Sequence, residues 1–424
     1  MDRPNYSNDL TYRTIALALL ENRLTFLWGT GMSKFLTENQ EKCSVGFQTK
    51  SDAPSFIELI DYIDQNLENT LKQDFDNDLI KAASILEIEA NQCRKDFKKI
   101  VRDIIIEHTN TINNENLKYI NDLLQQILEL NPNFNPKFIT TNYDHIIEDN
   151  ILNKFNNKKL NKVQHIHGDI EDPNSIIITV KDYYRDFDSK EVISALDNDI
   201  VLIMGYSLSD FDINKYFIEW MKENGNKTVH SYIYYFLPDN IVGTIKDNEK
   251  EFYRNTFGIH VINNSDMQTF FKKISEAILS NEFSLGNESD YKPEQYSEEP
   301  DLFNQVVLTM SLEHDLSRSE NIDKLLNDLD LFTNYCMNHS FSDYVTLAHN
   351  LFTFLKYISF ENLSTNQTKK LEKLVTFSLD HTGYNYGKSW NSVYAWQNNN
   401  IKDKKTLQFL KSIPNYESIM DLRH

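Results

Sequence analysis

Cysteine is scarce and scattered. Cys43, Cys93 and Cys336 are the only three in 424 residues. They form no CxxC pair, which argues against a disulfide framework and against a cysteine-rich zinc site, so no metal is expected. Positive charge is short as well: 43 Lys and Arg face 63 Asp and Glu, a formal net charge of -20. Phosphate contacts need a basic surface, so direct nucleic-acid binding is not expected. Long apolar runs are missing. No stretch approaches the ~20 apolar residues of a membrane span. Met1–Leu10 is polar and the apolar patch Ile15–Leu20 is too short for a signal peptide. These absences lead to the expectation of a cytoplasmic protein with no membrane contact. What remains is ordinary for a globular chain, with 40% hydrophobic and 25% charged residues, and the length suggests two to three domains.

Apolar spacing predicts a helix over Thr11–Asn22 and a strand over Leu24–Trp28. That strand runs into Gly29-Thr30-Gly31-Met32-Ser33, a small-residue turn of the kind that opens a nucleotide-binding βαβ unit. Such glycines let the backbone approach a pyrophosphate, although GxG alone equally suits a plain structural turn. Thr37–Asp52 is polar and irregular and reads as a loop. Pro54-Ser55-Phe56 opens a helix with Ile57, Ile60 and Ile63 on one face, and the pattern stays helical to Leu130. This is a helical insertion at about 55–130. Strands are then predicted at Phe138–Thr140, Val163–His167, Ser175–Val180, Ile200–Met204, His230–Phe236 and Gly258–Ile262. A helix over Asp266–Leu279 closes the unit. Continuous apolar strands alternating with helices predict an α/β fold, a Rossmann-like doubly wound parallel sheet. Residues 284–300 read as an acidic linker. Residues 301–424 carry helical apolar stripes and read as an all-α assembly or partner module.

The organising stretch is KFITTNYDHIIEDN, Lys137–Asn150. It reads as a strand, a tight turn and a helix, which places Asn142 and Asp144 at the carboxyl end of a parallel strand, where ligands bind. Asp144 either meets a ligand or caps the following helix. Three further turns end strands: GTGMS, HGD at His167-Gly168-Asp169, and Gly205-Tyr206-Ser207-Leu208-Ser209-Asp210.

In this order the four turns resemble the sirtuin family. That family has a glycine-alanine-glycine turn, an Asn-x-Asp turn, a His-Gly turn and a Gly-x-Ser turn. The counterparts here are Gly29-Thr30-Gly31 with Ser33, Asn142-Tyr143-Asp144, His167-Gly168 and Gly205-Tyr206-Ser207. The resemblance spans roughly residues 10–283. Thr141-Asn142-Tyr143-Asp144 with Glu148, HGD and GYSLSDFD look like the divergent bacterial branch, NAD-degrading effectors of anti-phage defence. Thr30 replaces the usual alanine. The zinc-binding cysteines of classical deacylases are missing, and Pro54-Ser55-Phe56 stands near where those enzymes have Pro-Asp-Phe-Arg. The resemblance implies a sirtuin-like fold without the zinc module and NAD as substrate. It implies NAD contacts from Gly29, Thr30, Gly31, Ser33, Thr141, Tyr143, Gly205, Tyr206, Ser207, Asp210 and Asn263. Asn142, His167 and Asp144 are its catalytic set.

Those residue types suit the chemistry. Nicotinamide leaves NAD through an oxocarbenium-like transition state. Asn142 can orient ribose or water, Asp144 can bond the nicotinamide carboxamide, and His167 has by type a near-neutral pKa suited to a general base. His165, two residues before it and on the same strand face by alternation, is the competing base. His145 reads as a solvated or packing residue, and His167 could also be a satisfied core histidine. The expected activity is NAD glycohydrolase. The alternatives are an NAD-dependent protein deacylase, a catalytically silent NAD or ADP-ribose sensor, and, less well supported, a nicotinamide dehydrogenase. The resemblance further implies a gate: a homo-oligomer, or a regulatory partner such as a hexameric ATPase or a phage protein. Tyr384, Tyr386, Trp390, Tyr394 and Trp396 are candidates for such an interface.

Overall fold

The computed structural model describes residues 6–37, 52–67, 78–155, 163–185, 188–198, 200–206, 215–219, 233–238, 245–263, 265–279, 293–298, 302–337, 341–381, 401, 403–414 and 416–417. The chain divides into two compact units, Leu19–Ser275 and a second made of Met1–Ala18 with Glu276–His424.

The first unit is built on a six-stranded sheet. Its strands are β1 (Leu24–Trp28), β2 (Lys137–Thr140), β3 (Gln164–His165), β4 (Ile200–Met204), β5 (Ile233–Phe236) and β6 (Ile259–Ile262). Their order is β3-β2-β1-β4-β5-β6, and every pairing is parallel. Strands covered on both faces read as unbroken apolar runs; LTFLW and IVLIM are buried at all five positions. Phe26 stacks on Phe138 at 4.8 Å and Trp28 meets Phe138 edge-on at 4.9 Å. Leu27, Ile139, Ile203 and Tyr235 belong to a separate apolar cluster. This order is that of doubly wound dinucleotide folds, whose ligand crevice lies where the order reverses, between β1 and β4.

Helices α1 (Tyr6–Leu20) and α2 (Thr30–Thr37) flank β1 in sequence. The insertion comprises α3 (Phe56–Asn66), α4 (Leu79–Gln92), α5 (Phe97–Thr109) and α6 (Asn114–Leu130). Ser55 caps α3 in a reciprocal capping box with Glu58, and Asp78, Asp96 and Asn113 cap the next three. The buried stripe of α3 is Leu59, Ile60 and Ile63, whereas Ile57, assigned to that face from sequence, is 60% exposed. Helices α3, α4 and α5 pack on an apolar cluster of their own, which also takes in Ile176 and Ile178, and Asn113 N, at the start of α6, donates to Leu36 O at 2.8 Å.

Two segments differ from the sequence reading. The turn after Asp144 leads into a π-helical turn, Ile147–Ile151, and a 3-10 turn, Leu152–Phe155, not an α-helix. Ser175–Val180 is not a strand. Ile176–Thr179 is buried irregular backbone leading into α7 (Val180–Arg185). Its polar groups are met without a ladder. Ile177 N donates to His167 O at 2.8 Å, and Tyr143 Oη donates to Ile177 O at 2.7 Å. Asp182 Oδ2 accepts from Ile178 N and Thr179 N. Buried backbone groups must be paired, but not by a sheet. Helix α8 (Lys190–Asn198) then leads to β4.

In the second unit the helices Leu302–Leu312, Ser319–Cys336, Phe341–Tyr357 and Thr365–Asp380 bury the stripes expected from spacing, with Val307, Leu326, Leu351, Phe354 and Leu371 all 0% exposed. The first helix contributes to this unit: Leu10 joins its apolar cluster, Thr14 and Thr309 share a hydroxyl hydrogen bond of 2.8 Å, and Arg13 pairs with Glu313 at 2.9 Å. The expected boundary at 283 and the interface candidates Tyr384, Tyr386, Trp390, Tyr394 and Trp396 lie outside the described residues. Among the described residues, no helix is long and apolar enough to cross a membrane.

Candidate functional site

The turns after β1 and β4 meet at the point where the strand order reverses. Gly31 N donates to Gly205 O at 2.9 Å, and Gly29 N donates to Met204 O at 2.9 Å. A Cβ on Gly31 would stand 2.8 Å from Gly205 Cα, and one on Gly29 2.7 Å from Gly205 O. Gly205 itself has φ +75. These glycines therefore serve first to let two backbones lie against each other. The ring of Tyr206 lies over the same turn, 2.9 Å from where a Gly29 Cβ would be, and its hydroxyl bonds Thr141 Oγ1 at 2.9 Å.

β2 delivers Asn142 and Asp144. The Asn142 amide nitrogen donates to Gly29 O at 3.1 Å and to Ser33 Oγ at 2.8 Å. Ser33 Oγ in turn donates to Asp144 Oδ2 at 2.7 Å. One serine from α2 thus bridges the two residues. The carboxamide oxygen of Asn142 is buried and has no hydrogen-bond partner among the described residues. Asp144 Oδ1 accepts from Ile146 N at 3.1 Å, so the carboxylate also fixes its own turn, while the helical turn that follows has no side-chain cap. Burial raises the Asp144 pKa above the usual carboxylate range; the Ser33 hydroxyl and the Ile146 amide only partly oppose this.

His167 follows β3. The neighbouring turns are laced together: Ile166 N donates to Thr140 O and Ile170 N to Tyr143 O, both at 3.0 Å. Gly168 takes φ +78, and a Cβ there would lie 2.2 Å from Ser175 O. The His167 ring is 3% exposed, meets Tyr216 Oη at 3.3 Å and packs edge-on to Tyr183 at 5.4 Å. Burial, helped by the charge of Lys215, pushes its pKa down to about 3. The near-neutral value expected from residue type is corrected: burial leaves this imidazole neutral at ordinary pH.

These side chains line a cavity of about 100 Å3, room for several waters or a small ring. Of the residues singled out from sequence, Thr30, Ser33, Thr141, Asn142, Tyr143, Asp144, His167 and Tyr206 line it. Gly29, Gly31 and Gly205 form the backbone contact beside it. Asn263 follows β6, the edge strand of the sheet, and is not among the lining residues. Ser207 and Asp210 lie outside the described residues. Pro54 and Phe56 supply part of an apolar wall together with Leu59 and Ile105 from the insertion. Tyr183 and Tyr216 were not assigned from sequence. Tyr183 stands in the run Asp182-Tyr183-Tyr184, whose neighbour Tyr184 is 94% exposed, and nothing in that run marks which tyrosine turns inward.

His165 does not share a face with His167. The strand ends at His165, and that ring turns to Asn142 O, 2.8 Å from Nδ1, and to Glu148 Oε1, 2.8 Å from Nε2. Burial alone would lower its pKa, but Glu148 outweighs it and the pKa is raised. His145 lies beside it, with ring centroids 5.2 Å apart.

The segment that carries Asn142, Asp144 and His167 resembles a known family. Residues 136–262 match the family model of the SIR2-like domain. The match runs from just before β2 to the end of β6, less than a third of the chain, and supports a sirtuin-like family; SIR2-like domains use NAD as substrate. No curated protein matches the chain.

Proposed function

We propose that this protein is an NAD glycohydrolase that cleaves NAD to nicotinamide and ADP-ribose, and that it serves bacterial anti-phage defence by depleting NAD on infection. The observation that carries the reading is the buried, unpartnered carboxamide oxygen of Asn142, in one cavity with Asp144 and a neutral His167. An acceptor without a donor costs about 1–3 kcal/mol when buried, and a ribose hydroxyl or a water supplies the missing hydrogen.

In the proposed reaction the bond between ribose C1′ and the nicotinamide ring nitrogen breaks, and its electron pair leaves with nicotinamide, which becomes neutral. The sugar passes through an oxocarbenium-like state, and water forms the new C–O bond at C1′. Water adding to such a cation becomes strongly acidic, so a weak neutral base suffices to take its proton. His167 fills that role and passes the proton to solvent. Asn142 orients ribose or water, and Asp144 accepts from the nicotinamide carboxamide. The activity is gated by oligomerisation or by a partner, since unrestrained NAD loss kills the host cell.

A second reading, a silent NAD or ADP-ribose sensor, draws support from the Ser33 bridge, which occupies the amide nitrogen of Asn142 and one oxygen of Asp144. Incubation of purified full chain with NAD separates the two: release of nicotinamide and ADP-ribose supports the hydrolase, whereas binding without release supports the sensor.

A further inference from the structure

The turns that carry Asn142 and His167 also hold a second polar cluster, made of His145, Glu148 and His165, none of which lines the cavity. His165 Nδ1 lies 2.8 Å from the backbone oxygen of Asn142. That oxygen can only accept, so the ring hydrogen sits on Nδ1 and the Nε2 of the neutral ring presents a lone pair. Nε2 lies 2.8 Å from Glu148 Oε1, which is also an acceptor. In the metal-free protein a proton on Nε2 joins the two as an ion pair, and a metal ion would take that proton's place between them. The other oxygen, Glu148 Oε2, is buried and has no hydrogen-bond partner among the described residues. His145 closes the group: one ligand atom each from His145, Glu148 and His165 lies within 4.8 Å of the others. Its ring is tilted 51° from that of His165, not stacked on it. Asp169 Oδ1 stands 3.5 Å from His145 Nε2.

We propose that His145, Glu148 and His165 form a binding site for a divalent transition-metal ion of the zinc type. Two imidazoles and a carboxylate are a donor set such ions take. A ligating histidine that gives its other N–H to a backbone carbonyl, as His165 does to Asn142, is the usual outer-shell arrangement. Bonds of about 2.0–2.2 Å draw ligand atoms closer together than 4.8 Å, a change within reach of side-chain rotation. The scarcity of cysteine does not bear on a set that contains none. The ion would not touch the cavity. It would tie the Asn142-Tyr143-Asp144 turn to the His167-Gly168-Asp169 turn and so hold the two halves of the candidate catalytic set at one spacing.

The test uses the full chain, tag-free and stripped with a chelator, titrated with Co2+ as a spectroscopic probe and then with Zn2+. The expected result is one equivalent of Co2+ giving the intense visible absorption of a low-coordinate N/O site, displaced by one equivalent of Zn2+. His145→Asn and His165→Gln should each weaken uptake by at least about tenfold to a hundredfold. Glu171→Gln, whose side chain is 80% exposed, should leave it unchanged. Circular dichroism of the metal-free proteins checks the fold. If His165→Gln fails to fold, His145→Asn carries the test, because the His145 ring nitrogens face the side chains of Asp169 and Glu171. No uptake by the wild type, or uptake undiminished in the folded variants, overturns the proposal, as does loss in Glu171→Gln alone.

Discussion

Asp182→Asn probes the segment that takes the place of a strand. Asp182 Oδ2 accepts from Ile178 N at 3.2 Å, Thr179 N at 3.0 Å and Thr179 Oγ1 at 2.8 Å, and it pairs with Lys98. Lys98 also donates to Ile176 O. The two side chains are only 13% and 7% exposed. Removing one partner of a buried pair costs about 3–5 kcal/mol. Asparagine keeps the shape and one acceptor, and Lys98 keeps Ile176 O, so the lower end applies and the expected loss is about 3 kcal/mol. Urea unfolding followed by circular dichroism measures it, with the midpoint lowered and the slope unchanged. The effect has a pH signature. Burial alone raises the Asp182 pKa, but Lys98 and the Thr179 amide outweigh it and the folded value lies below the ordinary 3.8. A depressed carboxylate contributes stability that is fully present above its unfolded pKa and lost as pH falls through the folded one. The gap between wild type and variant should therefore be full at neutral pH and shrink below about pH 4. Because Ile177 holds both His167 O and Tyr143 Oη, NAD cleavage should fall as well, by up to roughly a hundredfold. A stability loss under about 1 kcal/mol, or no coupling in a double variant with Lys98→Met, refutes this reasoning.

Gly168→Ala should cost about 2–5 kcal/mol, since the added carbon meets Ser175 O at 2.2 Å and φ is +78; a thermal melt within error of wild type contradicts this. Ser33→Ala removes the hydroxyl between Asn142 and Asp144, and a loss of about 1–3 kcal/mol is expected. It should also raise the Asp144 pKa further, read from the carboxyl carbon by NMR titration. Asn142→Ala should lower kcat by orders of magnitude with a smaller effect on NAD binding. An unchanged kcat with a raised KM assigns Asn142 to uniform binding instead.

Much of this architecture could be read from particular runs. LTFLW, IVLIM and IYYF are unbroken apolar stretches and became neighbouring central strands. SIIITV reads the same way and is not a strand, because periodicity cannot separate a ladder from a buried loop whose amides are met by Asp182. Ile57 and Leu59 were exchanged because both fit a helical stripe starting at different phases. The site was legible where its residues end strands, as with Asn142, Asp144 and His167. It was not legible for Tyr183 and Tyr216, whose approach to His167 depends on long-range packing. Asn263, which follows the edge strand β6, is not among the residues that line the cavity. His165 was read as a rival base on alternation, but the strand stops at that residue and the next two leave its pleat.

The most direct test of the NAD reading is a single-turnover incubation of full chain in excess over NAD, with nicotinamide and ADP-ribose quantified for wild type and His167→Ala. The expected result is equal amounts of both products from wild type and none from a folded His167→Ala. Absence of nicotinamide release by wild type, or undiminished release by His167→Ala with loss in His165→Ala instead, contradicts the assignment of the cavity as the site of cleavage.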